Sequence, residues 1–346
     1  MTIARATPLA VKVKSRLMSA ARTLGTCDPV RPIQRLIDST FALPDGDPRY
    51  GDNALTPMAA PIEPSFSELQ PDTLRFTIEP LGPGASSIDR RDEATREMRR
   101  LIAEHFGREA LRWFDKQSEA WRGFGSGGNL GYGAFFGTTS DPDGLAATKV
   151  YYETGREQLG ALPAGLLGIV QVVTSLMPGL RPLFTTLSAM RNEGGQRLTF
   201  VQPGAIRISD FQPVLDALGL GDRMPGLLQA IGLTLGGRFD LPPKSCLVAI
   251  GQDARGLPEF EIYVLLGMIP DVPPNFLQLL SLGLNERPRE LRALERWLSA
   301  FTPEDDVWPG HFSILSLRTG HGAPPRVSLY LRPAEFELPM RALQAA

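Results

Sequence analysis

The chain has 346 residues, 42% hydrophobic and 21% charged, with a formal net charge of −2. That is ample material for a large core, and the near-neutral balance excludes a nucleic-acid binder working through a broad basic surface. Cys27 and Cys246 are the only cysteines, so no disulfide framework is implied and a reducing, cytoplasmic setting is expected.

Up to Asp28 the chain carries Arg5, Lys12, Lys14, Arg16 and Arg22 without an acidic residue. This reads as an amphipathic first helix rather than a transit peptide, and the basic residues interrupt every apolar stretch a secretory signal would need. Residues 44–64, rich in Pro, Asp and Gly, read as a loop into a first strand pair centred near residue 70. Met98, Leu101, Ile102 and Phe106 follow helical spacing behind an acidic start at Asp92 and Glu93. A hairpin is expected next, over 131–137 and 148–153, turning at Asp141-Pro142-Asp143-Gly144. From Gln158 to Leu180 no residue is charged, yet Pro163, Pro178 and several glycines break the stretch. It reads as buried helix rather than a membrane span, with helices over 159–173 and 180–191.

A short strand pair is expected over 198–201 and 205–209, then helices over 213–218 and 224–235. A fourth hairpin falls at 246–250 and 259–266 around Asp253-Ala254-Arg255-Gly256. Helices over 274–284 and 288–301 each begin at a proline, whose missing N–H costs nothing there. The last hairpin spans 312–317 and 326–331.

Five stretches put large polar side chains on one strand face: Arg75-Phe76-Thr77-Ile78-Glu79, Lys149-Val150-Tyr151-Tyr152-Glu153, Arg207-Ile208-Ser209, Glu261-Ile262-Tyr263 and Arg326-Val327-Ser328-Leu329-Tyr330. Residues i and i+2 share a face, so each stretch has a polar stripe and an apolar one. Strand pairs recur about every sixty residues, each after a helix pair, which is an internal repeat. The expected fold is α/β: one domain over 1–346, a ten-stranded antiparallel barrel ringed by helices in five ααββ repeats. Residues 1–60 would form a helix and loop packed on it. A barrel of this width can hold ligands, and a cationic interior calls for an anion.

At these residues the chain resembles the aromatic prenyltransferases of the dimethylallyltryptophan synthase type, the ABBA or PT-barrel prenyltransferases, over nearly everything beyond residue 60. The most specific segment is Pro61-Ile62-Glu63 followed by Leu74-Arg75-Phe76-Thr77-Ile78-Glu79-Pro80-Leu81-Gly82. In that family such a glutamate contacts the indole nitrogen, and an arginine about a dozen residues on binds the diphosphate. Lys149-Val150-Tyr151 matches the family's Lys-x-Tyr. The family's Arg-x-Lys-x-Tyr would fall on Arg207, Ser209 and Phe211, keeping only the arginine; its Gln-x-Tyr becomes Glu261-Ile262-Tyr263; and its last tyrosine pair becomes Arg326 and Tyr330.

The resemblance implies transfer of a prenyl group, dimethylallyl or longer, from its diphosphate onto an indole-type acceptor such as tryptophan or a tryptophan-containing peptide. Arg75, Lys149, Arg207 and Arg326 would bind the diphosphate. Tyr151, Tyr263 and Tyr330 would shield the allylic cation and reach phosphate oxygens. Glu63 would act as base toward the acceptor, with Glu261 as a second acceptor contact and rival base. A phenolic or tyrosine acceptor and a non-catalytic barrel holding a hydrophobic anion are the alternatives. Prenyl diphosphate is the co-substrate, no cofactor or metal is essential, and neither a membrane nor a nucleic-acid partner is expected.

Other patterns carry less. There is no Asp-Asp-x-x-Asp cluster; Glu304-Asp305-Asp306-Val307 lacks the third carboxylate. His105, His311 and His321 are scattered. Gly123-Phe124-Gly125-Ser126-Gly127-Gly128 satisfies Gly-x-Gly-x-x-Gly but precedes a hairpin rather than opening a helix, and reads as a loop at the barrel rim. No Gly-x-Ser-x-Gly elbow supports a hydrolase.

Overall fold

The computed structural model describes residues 7–123, 130–191 and 193–338. The glycine-rich stretch 124–129 lies outside the described residues. Helix α1 (Leu9–Leu24) buries Leu9, Val13, Leu17, Ala20 and Leu24, one stripe at helical spacing. It stops at Gly25, whose φ of 71° lets the Thr26 amide turn back onto the Ala21 carbonyl. Helix α2 (Gln34–Thr40) follows, and then the hairpin β1 (Ile62–Ser67) and β2 (Leu74–Ile78).

Helix α3 (Ser87–His105) is capped by Ser86, whose hydroxyl accepts the Asp89 N–H at 3.1 Å. Helix α4 (Gly107–Arg122) leads to the hairpin β3 (Ala134–Asp141) and β4 (Gly144–Glu153). The third repeat contains α5 (Ala164–Leu176), β5 (Arg181–Met190) and β6 (Gly194–Gln202). A two-residue ribbon, β7 (Ile206–Arg207) with β8 (Asp240–Leu241), brackets α6 (Gln212–Ala217) and α7 (Met224–Thr234). The fourth hairpin is β9 (Cys246–Gln252) and β10 (Pro258–Leu265). Helices α8 (Phe276–Gly283) and α9 (Pro288–Phe301) precede the fifth, β11 (Gly310–Gly320) and β12 (Ala323–Pro333). Helix α1 packs against α9, tying the first repeat to the last.

Ten strands close in the order β1-β12-β11-β10-β9-β6-β5-β4-β3-β2, every pair antiparallel. The α/β barrel expected from the alternating stripes is therefore present, and closure leaves it no free edge. All five hairpin turns lie at one end of the barrel; the connections that lead out to the helices leave from the other. Among the described residues no helix is long and apolar enough to cross a membrane.

The outward strand faces carry the core. Ile62, Phe76, Ile78, Val150, Leu187, Leu198, Phe200, Val248, Ile250, Phe260, Ile262, Leu317 and Leu329 are at most 2% exposed, packed in one cluster with helix residues such as Met98, Val170, Leu227 and Trp297. Each such side chain contributes about 2 kcal/mol on burial.

The third repeat departs from the sequence expectation. Where a helix over 180–191 is expected, Arg181–Met190 form strand β5. Thr185 and Thr186 are β-branched, and Thr185, Leu187 and Ala189 are buried outward while Thr186 and Ser188 alternate inward. The hairpin therefore pairs β5 with β6, and the expected strand over 205–209 shrinks to the two residues of β7 before a 3-10 turn. A 3-10 turn at Arg156–Ala161 stands where the other repeats have a first helix.

Candidate active site

The register fixes which side chains share the lumen. Glu63 pairs with Thr77, Ser65 with Arg75 and Tyr330, Tyr151 with Thr186, Lys149 with Ser188, Glu261 with Arg318, and Arg318 with Arg326. Cross-strand partners point to the same side, so Glu63, Arg75, Lys149, Tyr151, Glu261, Tyr263, Arg326 and Tyr330 line one continuous inner surface. Unlike the sealed outward face, most of these residues keep partial exposure into the lumen. Glu63 and Glu261 are the most enclosed, at 5% each.

Arg207 does not join them. It lies on β7, outside the barrel, exposed and ion-paired with Asp240 at 2.7 Å. The inward arginine of the third hairpin is Arg197 on β6, followed on the same face by Thr199 and Val201. Arg207→Ala is accordingly expected to leave donor affinity within about twofold of wild type, as for other exposed ion pairs. Isothermal titration with a prenyl diphosphate checks this.

Arg197 belongs to a lattice that spans three hairpins. It donates to Glu261 at 2.5 Å and to Glu259 at 2.6 Å, and Arg318 also donates to Glu259. Gly251 makes room for it: a Cβ there would sit 2.7 Å from Arg197 Cγ. Ser316 donates to the other oxygen of Glu261 at 2.8 Å. Burial pushes the Glu261 carboxyl up, but Arg197 and Arg318 outweigh it and hold the group below the usual carboxylate range. Glu261 is thus ionised, bonded to Arg197 and stabilised by the nearby charge of Arg318.

Arg75 and Lys149 stand differently. Among the described residues neither makes a hydrogen bond or ion pair, though they lie close enough to repel each other. Burial, then the charges of Arg75, Arg197 and Arg318, drives the Lys149 ammonium well below its ordinary value, with Glu261 pulling weakly the other way. Arg326 is held only loosely, 3.8 Å from Glu68, which Arg287 grips at 2.5 Å. The lumen therefore holds cations whose charge is not matched by protein, the electrostatic signature of an anion site.

Beside these cations stand the rings. Tyr263 and Tyr330 lie 6.2 Å apart between centroids, and Tyr151 meets Phe184 edge-on at 5.7 Å. Burial raises all three tyrosine hydroxyls, so they stay protonated and can donate. Glu63 sits on the same wall without a cationic partner. Burial raises its carboxyl to about 7, opposed only by the Ser313 hydroxyl, which donates to Oε1 at 2.6 Å. A carboxyl at that value is poised for proton transfer near neutral pH.

Glu79, just past the end of β2, and Glu153, the last residue of β4, are structural. Glu153 receives the backbone N–H groups of Gly131, Tyr132 and Gly133 at 2.8–2.9 Å. Glu79 accepts those of Ala54 and Leu55 and pairs with Arg90. No three His, Cys, Asp or Glu side chains among the described residues converge to hold a metal.

Known structures share this barrel. A 6-dimethylallyl tryptophan synthase superposes with a TM-score of 0.73 at 16% identity, covering 96% of this chain and 98% of its own. A 5-dimethylallyltryptophan synthase from Streptomyces coelicolor gives 0.69 at 19% identity, covering 96% and 100%. A 6-dimethylallyltryptophan synthase from Micromonospora olivasterospora, in complex with DMASPP and Trp, gives 0.71 at 16% identity, covering 96% and 99%. No protein-family model and no curated protein sequence matches the chain. The chain has the ABBA prenyltransferase fold over 96% of its length.

Proposed function

We propose that the protein is an aromatic prenyltransferase that moves a prenyl group, dimethylallyl or longer, from its diphosphate to an indole-type acceptor such as tryptophan or a tryptophan-containing peptide. The observation that carries the reading is the pairing of unneutralised Arg75 and Lys149 with an unpaired carboxylate at Glu63 across a tyrosine-lined lumen. Arg75, Lys149 and Arg326 neutralise the leaving diphosphate directly as the allylic C–O bond breaks and both electrons depart with oxygen. Tyr151, Tyr263 and Tyr330 offer π-faces to the allylic cation and keep water away from it. The acceptor ring forms the new C–C bond with its own π electrons, while Glu63 accepts a hydrogen bond from the ring N–H and raises the ring's electron density. Transfer of the ring proton to the Glu63 carboxylate then restores aromaticity. Glu63 is the better base, because Glu261 is tied to Arg197 and Ser316.

Incubation of the purified protein with dimethylallyl or geranyl diphosphate and a panel of indole and phenol acceptors, with and without EDTA, is expected to yield an adduct heavier by one prenyl group, equally with chelator. Donor binding without an adduct from any acceptor would favour the non-catalytic barrel. An adduct formed only with added metal would overturn direct neutralisation by side chains.

A further inference from the structure

Strand β11 contains an irregularity beside Glu63. Phe312 pairs with Leu331 and Ile314 with Tyr330, which leaves Ser313 as an extra residue with no partner on β12. In an unbroken pleat Ser313 would take the outward place opposite Leu331. Instead Phe312 occupies it, its ring tilted at 38° and 6.0 Å from that of Phe276 of α8, and Ser313 turns its hydroxyl to Glu63 Oε1. Bulges re-aim side chains in this way and concentrate near active sites. Among the described residues the second carboxylate oxygen, Oε2, has no hydrogen-bond partner.

We infer that Ser313 is a positioning residue for Glu63: its hydroxyl occupies Oε1, fixes the carboxylate plane and leaves Oε2 as the single acceptor presented to the substrate's N–H. The inference rests on Glu63 being the base of the proposed reaction. A hydrogen bond to the ionised form favours ionisation, so Ser313 also keeps the carboxyl basic at a lower pH than burial alone would allow. The ionisable groups facing Glu63 from neighbouring strands do not substitute for it. Tyr330 on β12 and Tyr151 on β4 feel its charge but stay protonated, Thr77 on β2 is neutral, and Arg75 on β2 makes no ion pair with it.

The test compares Ser313→Ala and Ser313→Thr with wild type in two measurements. One is the pH profile of kcat/KM for the acceptor; the other, which needs no substrate, is thermal stability against pH referenced to Glu63→Gln. Removing the hydroxyl is expected to move both midpoints up by about one pH unit, the size of a charge-assisted hydrogen bond. Activity at pH 6.5 then falls about tenfold, while at pH 8.5 it stays within about threefold of wild type, and threonine restores both curves. Curves for Ser313→Ala that superpose on wild type overturn the inference. Should the stability midpoint move while wild type turns over no acceptor, the positioning role stands and the enzymatic reading fails.

Discussion

Replacing Arg75 or Lys149 with alanine is expected to weaken binding of dimethylallyl diphosphate about 100-fold each, without unfolding the barrel. Both side chains project into the lumen, and neither supports a neighbour through a hydrogen bond or ion pair that the substitution would break. A charge-assisted contact to phosphate in such a site is worth about 3 kcal/mol, which is the stated loss. Lys149 adds a distinguishing sign. Its folded value is depressed, so the folded chain sheds a proton that the unfolded chain keeps. Its unfavourable contribution is therefore largest at low pH and fades as pH approaches about 10.4. Lys149→Ala is thus expected to melt no lower than wild type at pH 7 while losing donor affinity. Titration calorimetry and thermal melts on the same samples check both halves, and unchanged affinity in both variants would sink the assignment of the anion site.

Glu63→Gln is expected to lower kcat by 10²–10³-fold, the range of a lost general base. Glutamine keeps the shape and still accepts from Ser313, but it presents an amide N–H₂ where the substrate's N–H needs an acceptor. The same variant has a pH signature in stability. The folded carboxyl titrates near 7 and the free side chain near 4.5, so the folded state holds the proton across that interval. The contribution of Glu63 is fully present below pH 4.5 and is lost as pH rises through 7, a difference of about 3 kcal/mol. The melting temperatures of wild type and Glu63→Gln are therefore expected to agree near pH 5 and separate by pH 8 in favour of the variant. Parallel melting curves would show that Glu63 is not buried unpaired.

The barrel was legible because period-two stripes with Arg75, Lys149, Tyr151, Glu261, Tyr263, Arg326 and Tyr330 need no tertiary information to read. The third hairpin was not. Residues 180–191 follow an uncharged, leucine-rich run, and only the Thr185-Thr186 pair marked a strand; Gly194-Gly195 hid the start of β6 and, with it, Arg197. Arg318 lay one residue beyond the expected end of its strand. The lattice of Arg197, Glu259 and Arg318 joins residues about sixty positions apart, a relation that register creates and local pattern does not contain. Ser313 was hidden for the opposite reason: strict alternation sends it outward, and one extra residue reverses it.

The hydrophobic core of this fold is a closed annulus between strands and helices, with a polar hole in place of a centre. Folding energy and the proposed ligand recognition thus reside on opposite faces of the same ten strands. A change at Ser188, Thr199 or Ala249 is expected to alter what the lumen accepts while leaving Leu187, Leu198 and Val248 packed as before. On the proposed function, substrate range is then expected to drift one side chain at a time with little toll on stability, which makes the scaffold readily diversified.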